Sequence, residues 1–374
     1  ADLTARLATG LSDLGVGKGD TVVLMMRNRP EFHALDIATL FLGATPVSIY
    51  NSSAPEQIDY LINDCKAKLA VVEDDAFLER FLKVRESLPS LEQIVLVEPS
   101  ETAGNDVVPY AELAASEPAD LAAQAYNATL DTLATIIYTS GTTGPPKGVM
   151  ISQGNVCYTA DSLFESIEDP DARGWRSVSY LPMAHIAERM VSHYRTLIDG
   201  LEIYTCPDPG QLMAYVKDAR PEMLFGVPRV FEKVYAGVNA ALAADPGKQQ
   251  QFDDGVAAAI EIKRAERAGT ITDEQRDTWN FLDAVAFSTV RELVGLQDIK
   301  LAITGAAPLP SAILEWFNAI GVPLAEVYGL SETTGPMTFS PTRNKPGWVG
   351  RQIPGCEVAL ADDGEVICRG GNVF

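Results

Sequence analysis

One lysine set among glycines and hydroxyls is the sharpest chemical feature of the sequence. Residues 139–148, reading TSGTTGPPKG, hold three glycines, two prolines, four hydroxyl side chains and Lys147. Apolar runs flank the stretch at 133–138 and 149–151. Exposed backbone N–H groups, hydroxyls and one cation are what a protein presents to phosphate oxygens. The prolines stiffen one side while the glycines let the backbone approach a ligand. The spacing is not that of a P-loop, which needs a glycine, four residues and then Gly-Lys-Ser/Thr. An exposed hairpin loop is the plainer alternative.

Two weaker pieces follow. Residues 328–335, YGLSETTG, end a strand-like run in a polar turn. There Glu332 offers a hard oxygen suited to Mg²⁺, Ser331 a hydroxyl, and Tyr328 a flat ring for stacking on a base. Residues 304–309, TGAAPL, close another such run with small side chains against which a planar group could lie. Taken singly, each is equally an ordinary turn. Other chemistries lack support: there is no GxGxxG, GxSxG or HExxH, and no clustered Cys/His set for zinc. Three histidines are present, at 33, 185 and 193. His33 and His193 read as structural or solvated.

Alternating strands and helices must position these groups. Residues 21–26 predict a strand, Pro30 opens a helix to about 42, and 46–49, 55–63 and 69–73 predict strand, helix and strand. This alternation argues a parallel, doubly wound sheet. A helix over 77–87 and a strand over 93–97 extend it. Residues 99–130 show no clear period and read as a surface connection with one short helix near 110–116. Ser152 looks like an N-cap, with Val156, Ala160, Leu163, Phe164 and Ile167 as the apolar stripe of the next helix. Strands at 176–181, 201–205 and 222–227 alternate with helices at 184–197, 211–219 and 228–239. Residues 240–290 predict two or three amphipathic surface helices with a mobile turn. Strand 299–303, helix 311–320 and strand 323–328 follow. The pieces 357–360 and 364–368 predict a small antiparallel sheet.

Lys and Arg number 29 against 51 Asp and Glu, so the net charge is 29 − 51 = −22. That argues against a broad face for nucleic acid or anionic membrane. Five cysteines, none in a CxxC pair, read as buried thiols in a reduced compartment. No uninterrupted apolar run reaches about 18 residues, so no membrane-spanning helix is expected.

Jointly, in this order and spacing, the three motifs resemble those of the adenylate-forming, AMP-producing synthetases. That family includes acyl-CoA synthetases, peptide-synthetase adenylation domains and beetle luciferases. YTSGTTGPPKGVM resembles its most specific signature and YGLSETTG its second; the likeness covers essentially the whole chain. LPMAHIAERM, FGVPRVFEKV, TGAAPLP and GEVICRGGNVF look most like the bacterial long-chain fatty acyl-CoA synthetase branch.

The resemblance implies an α/β fold of two doubly wound βα lobes packed together plus a small C-terminal β-sheet or barrel subdomain. The lobes would be 1–130 and 131–340, the second holding the phosphate loop and the helical insertion 240–290, with 341–374 as the β subdomain. It implies ATP-dependent activation of a long-chain fatty acid to acyl-AMP, release of pyrophosphate, and thioester formation with coenzyme A. An aryl- or medium-chain acyl-CoA ligase, or an acyl-AMP ligase feeding a carrier protein, is the alternative within the family. A non-catalytic nucleotide- or lipid-binding module is the alternative outside it.

By the same resemblance Thr139, Ser140, Gly141, Thr142, Thr143, Gly144 and Lys147 would grip the β- and γ-phosphates of ATP. Thr142 and Glu332 would hold Mg²⁺. Ser331, where the family usually has Thr, would reach the α-phosphate. Tyr328 and Gly329 would face adenine, with Gly305, Ala306 and Ala307 as the opposite wall. His185 would stand near the acyl carbonyl and thiol entrance, and a helix-terminal structural role is its alternative. Phe225, Gly226, Val227 and Pro228 would line the acyl channel. For Leu224, Val227, Val230 and Phe231 core packing competes with that role. Relatives that use amino acids hold the amino group with an Asp where this chain has Met183, Ala184 and His185, so amino acids are disfavoured.

The family also carries a mobile C-terminal domain with a lysine needed for adenylation, preceded by an Asp that holds the ribose. The chain stops at Phe374, ahead of both. It is therefore expected to be the large N-terminal domain, able to bind ATP and acid but poor in catalysis alone. A cytoplasmic location is expected. Peripheral contact with a membrane and a homodimer stay open, and no nucleic-acid partner is expected.

Overall fold

Runs of Val, Leu, Ile and Met that are apolar at every position become strands buried on both faces, and the first of the chain's sheets is built this way. In the computed structural model, which describes every residue except 102, 103, 105, 140–143, 168–170, 342 and 343, β1 (Thr21–Met25), β2 (Thr45–Ser48), β3 (Leu69–Val72), β4 (Gln93–Leu96) and β5 (Val107–Pro109) form one parallel sheet. Its order is β2-β1-β3-β4-β5, a doubly wound arrangement. Alternate residues serve opposite faces. Val22 and Leu24 pack with Leu7, Leu11, Phe32 and Leu35, whereas Val23 and Met25 pack with Ile58, Ile62, Phe77 and Phe81. Helices Asp2–Asp13 and Pro30–Phe41 thus cover one face, and Pro55–Cys65 and Asp75–Leu82 the other. Each enclosed Phe or Leu contributes about 1.5–3 kcal/mol.

The chain divides into two compact units. The first comprises Ala1–Tyr158, Tyr180–His193 and Gly371–Phe374; the second comprises Thr159–Ser179 and Tyr194–Gly370. Beside its five-stranded sheet, the first unit holds the antiparallel hairpin of β6 (Leu133–Thr139) and β7 (Lys147–Ser152). β6 lies alongside β2, and Thr135 Oγ1 donates to the Pro46 carbonyl at 2.8 Å. Ser152 caps the helix Gln153–Glu165 as expected: its Oγ accepts from the Asn155 amide at 3.1 Å, and Asn155 Oδ1 accepts from the Ser152 amide at 2.9 Å. That is a reciprocal capping box with Asn in the third position.

In the second unit β8 (Arg176–Ser179) pairs in parallel with β9 (Glu202–Thr205). A four-stranded sheet runs β10 (Met223–Gly226), β11 (Leu301–Thr304), β12 (Leu324–Leu330), β13 (Gly335–Phe339). Its first three strands are parallel and β13 is antiparallel to β12. The expected small antiparallel piece is the hairpin of β14 (Glu357–Leu360) and β15 (Val366–Arg369). The segment between β10 and β11 is helical: Pro228–Leu242, the 23-residue Pro246–Ala268, Asp273–Leu282 and Ser288–Val294. The turn expected to be mobile runs from a left-handed cap at Gly269 straight to a Thr272–Gln275 capping box. Phe231 meets Phe317 edge-on, and Phe252 meets Phe287 likewise, which packs these helices inward.

Three sequence expectations are corrected. β5 was read as surface connection; three residues ending in proline at a sheet edge are too short to show a period. The helix expected over 184–197 is three pieces, Ile186–Glu188, a π-helix Arg189–Tyr194 and Arg195–Asp199. The helix expected over 77–87 starts at Asp75 and ends at Leu82, with Asp74 Oδ1 accepting from the Phe77 amide as its cap.

Candidate functional site

The expected site residues divide between the two units, and each group is built by its own unit. In the first unit, pairing of β6 with β7 sets Thr139 opposite Lys147 and Tyr138 opposite Gly148. Lys147 is the first residue of β7, and its side chain is exposed. In a chain with 51 carboxylate residues it makes no ion pair with any described residue. The foot of the loop is fixed. Tyr60 Oη donates to the Pro146 carbonyl at 2.9 Å, and Tyr138 Oη donates to Asp64 Oδ2 at 2.7 Å. Burial, then that bond, raises the Tyr138 phenol above its ordinary range and keeps it a donor. The loop's glycines have separate reasons. Gly144 has φ +94°, in the region L residues rarely adopt. Gly148 is needed for packing: a Cβ there would stand 2.8 Å from Ile136 Cγ2. Ser140, Gly141, Thr142 and Thr143 lie outside the described residues.

His185 also belongs to the first unit, as the N-cap of Ile186–Glu188, with Nδ1 accepting from the Ala187 amide at 3.1 Å. Burial lowers its pKa, so the ring is neutral and Nε2 carries the proton. The capping alternative is thus the one realised, and it leaves Nε2 uncommitted to that cap. The segment after it is anchored by charge. Asn28 Nδ2 donates to the Leu181 carbonyl at 2.9 Å. Arg189 Nη2 meets Asp36 Oδ2 at 2.6 Å and His193 Nε2 meets Asp36 Oδ1 at 2.9 Å, all fully buried. Burial alone would raise the Asp36 pKa; Arg189 and His193 outweigh it and bring it to about 2. His33 Nδ1 stands 2.9 Å from His193 Nδ1, and burial, then His193, lowers His33 to about 3. Both histidines are structural, as expected from sequence.

In the second unit Gly226, Thr304 and Glu326 are in register on β10, β11 and β12. The residues that follow them leave the sheet at the carboxyl ends of parallel strands, where open α/β sheets bind ligands. After β10 these are Val227 and Pro228, and after β11 Gly305, Ala306 and Ala307; Tyr328, two residues past Glu326, is still in β12 and pairs with Thr338 of β13. Gly305 is pressed against β12: a Cβ would meet Val327 Cγ1 at 2.7 Å and the Val327 carbonyl oxygen at 3.0 Å. Ala306 holds a left-handed conformation, φ +67°, which costs an alanine about 1 kcal/mol. Phe225 and Leu224 are buried in β10 and Phe231 is enclosed against Phe317; for Leu224 and Phe231, packing is the observed role.

Tyr328, Gly329 and Leu330 end β12, residues 331–334 make the turn, and Gly335 begins β13. Ser331–Thr333 is a 3₁₀ turn, and Thr334 is left-handed at φ +54°. Thr333 Oγ1 accepts from the Leu330 amide at 3.0 Å and donates to the Gly335 carbonyl at 2.7 Å. Gly329 admits no side chain: a Cβ would lie 1.8 Å from the Gly335 carbonyl oxygen. On this frame Tyr328, Ser331 and Glu332 are half-buried, and Glu332 has no ion-pair partner among the described residues.

Three contributing residues were missed from sequence. Thr333 ties the turn and looks like any turn hydroxyl. Tyr60 holds Pro146 from 86 residues away, a distance no local pattern spans. Glu326 did leave a signal, a lone carboxylate inside the apolar run PLAEVY. Burial raises its pKa, and the Leu309 and Gly347 amides pull the other way. Its Oε2 reaches no partner among the described residues.

Comparison with known proteins identifies the family and the fold. The family described as AMP-binding enzyme matches residues 1–374. The long-chain-fatty-acid–CoA ligase FadD15 of Mycobacterium bovis is 32% identical over 98% of the chain and 61% of its own length. The long-chain-fatty-acid–CoA ligase ACSBG1 of Rattus norvegicus is 30% identical over 100% and 54%. The chain therefore spans between half and two thirds of the length of these relatives. Among solved structures, the N-terminal domain of FACL13 from Mycobacterium tuberculosis superposes with a TM-score of 0.70 at 22% identity, over 100% of this chain and 81% of that one. The anthranilate CoA ligase AuaEII gives 0.74 at 18%, over 100% and 63%. The α/β fold is theirs, and with the family matching along its whole length, the chain belongs to the AMP-binding enzymes.

Proposed function

We propose that the full-length protein is an AMP-forming acid–thiol ligase. It activates a long-chain fatty acid with ATP, releases pyrophosphate, and passes the acyl group to coenzyme A. The observation that carries the reading is that each unit builds its own turn with an unpaired charge: exposed Lys147 at the foot of one and half-buried Glu332 on the other, neither ion-paired with a described residue. The names of the two relatives support the substrate class.

In this reading a carboxylate must attack the α-phosphate, a meeting of like charges, so charge neutralisation and positioning are the work required. Lys147, with the hydroxyls and amides of 139–144, binds the β- and γ-phosphates and holds the leaving pyrophosphate. Ser331 donates its hydroxyl to the α-phosphate. Tyr328 stacks on adenine, with Gly329 beside it, and Gly305, Ala306 and Ala307 form the flat wall opposite. His185 offers Nε2–H toward the acyl carbonyl and thiol entrance, and Phe225, Gly226, Val227 and Pro228 line the acyl path. Glu332, a hard oxygen donor on a fixed turn, fits Mg²⁺, and Thr142 would be its companion ligand. When bound, that ion neutralises phosphate charge. No protein nucleophile is required.

The relatives' greater length leaves room for the C-terminal domain that the resemblance implies. The same reading keeps the divisions 1–130, 131–340 and 341–374. It adds a cytoplasmic location and leaves a homodimer and peripheral membrane contact open. No helix among the described residues is long and apolar enough to cross a membrane.

ATP–pyrophosphate exchange in the full-length protein, across fatty acids of graded chain length, tests the reading. Medium or long chains should accelerate exchange, and coenzyme A should then yield the thioester. Exchange with no fatty acid at all would sink it. Acyl transfer to a carrier protein but not to coenzyme A would select the carrier-feeding ligase.

A further inference from the structure

Away from the turns just described, two sulfurs meet at the base of the two-stranded sheet β14–β15. Cys356 Sγ and Cys368 Sγ are 3.3 Å apart, and neither cysteine is in a disulfide. The fold builds this approach. Cys368 lies on β15 directly opposite Val358 of β14, so Cys356, two residues before Val358, is its diagonal neighbour on the same face. Cys356 is held in place by a turn: Gly355 is left-handed at φ +77°, and the Cys356 amide donates to the Ile353 carbonyl at 3.0 Å. Cys356 is 3% exposed, whereas Cys368 is only half-buried. A disulfide needs the sulfurs near 2.05 Å, about 1.3 Å closer, which is within reach of side-chain rotation.

We infer that Cys356 and Cys368 form a modification site, a thiol pair that a low-molecular-weight disulfide converts to an intrachain disulfide. The Cys368 thiolate attacks one sulfur of the small disulfide, forming a mixed disulfide and releasing one small thiolate. The Cys356 thiolate then attacks Cys368 Sγ and releases the second. Two protein thiols are oxidised, one small disulfide is reduced to two thiols, and the two protons leave with them. The bond would fasten the hairpin β14–β15 to its buried turn. Leu360 and Ile367 of that hairpin are 72% and 51% exposed, and an isolated two-stranded hairpin is marginal without a further tie. The remaining three cysteines offer no such arrangement. Cys157 is exposed; Cys65 is half-buried, with its thiol pushed up to about 11 by burial; Cys206 is buried and raised likewise.

The full-length protein carrying Cys157→Ser, equilibrated with oxidised glutathione, tests this. Differential alkylation with peptide mass mapping reads each cysteine. Alkylation of Cys356 and Cys368 should fall together by roughly tenfold or more, a peptide linked through these two residues should appear, and dithiothreitol should reverse both. In Cys356→Ser, Cys368 should instead stay trapped as the glutathione mixed disulfide. Full alkylation of both cysteines, a mixed disulfide on Cys368 with Cys356 intact, or a bridge to any other cysteine would each overturn the proposal.

Discussion

The two glycine-hydroxyl turns are supported by different means at their described residues. The turn between β12 and β13 is locked from within. Thr333 hydrogen-bonds to both of its arms, Thr334 is left-handed, and Gly329 lets the Gly335 carbonyl approach where a Cβ would lie at 1.8 Å. The turn between β6 and β7 is held from below. Strand register fixes Thr139 against Lys147, and Tyr60 fastens Pro146 from another element. The lesson is that glycine carries two meanings. At 144 and 335 it supplies a positive φ; at 148, 305 and 329 it supplies room. Lys147 therefore stands at the foot of the first turn, whereas Glu332 stands within the locked part of the second.

Substitutions can break that comparison in graded fashion. Gly329→Ala should have the largest effect, about 3–5 kcal/mol of stability, because the new methyl meets backbone that cannot yield. Thermal or urea unfolding would read it, and a loss under about 1 kcal/mol would show that the second turn is not locked as described. Thr333→Val should cost about 1–2 kcal/mol by leaving two part-buried backbone groups without this partner. Gly148→Ala should cost about 1–2 kcal/mol, since Ile136 and Tyr138 are side chains that can shift a little. Tyr60→Phe should be mildest, about 0.5–1.5 kcal/mol, because one hydrogen bond is lost at an otherwise intact foot. If Gly148→Ala proved worse than Gly329→Ala, the contrast between support from below and locking from within would be reversed.

Much of this was legible before any coordinates. The βα alternation through residue 97 followed from apolar runs of strand length, prolines at helix starts and glycine at helix ends, because those signals act locally. The family was legible too, through the residue types and spacing of the three motifs. What local pattern could not reach was support from far along the chain: Tyr60 beneath Pro146, and Asp36 gathering Arg189 and His193 from more than 150 residues away. The π-helical stretch Arg189–Tyr194 has no composition that marks it. Nor could sequence tell a glycine needed for φ from one needed for room. Gly148 read as one of the glycines that let the loop backbone approach a ligand, and the structure makes it a packing position.

The central claim is that Lys147 and Glu332 serve nucleotide chemistry and not the fold, since neither is ion-paired with a described residue and each stands on a frame built by other residues. The most direct measurement is fatty-acid-dependent ATP–pyrophosphate exchange in full-length Lys147→Ala and Glu332→Ala, taken beside their unfolding curves. The account predicts that each variant loses roughly a hundredfold or more in exchange with stability unchanged within about 0.5 kcal/mol. Exchange at the parent rate in either variant, or a loss of activity that merely follows a loss of fold, would contradict it.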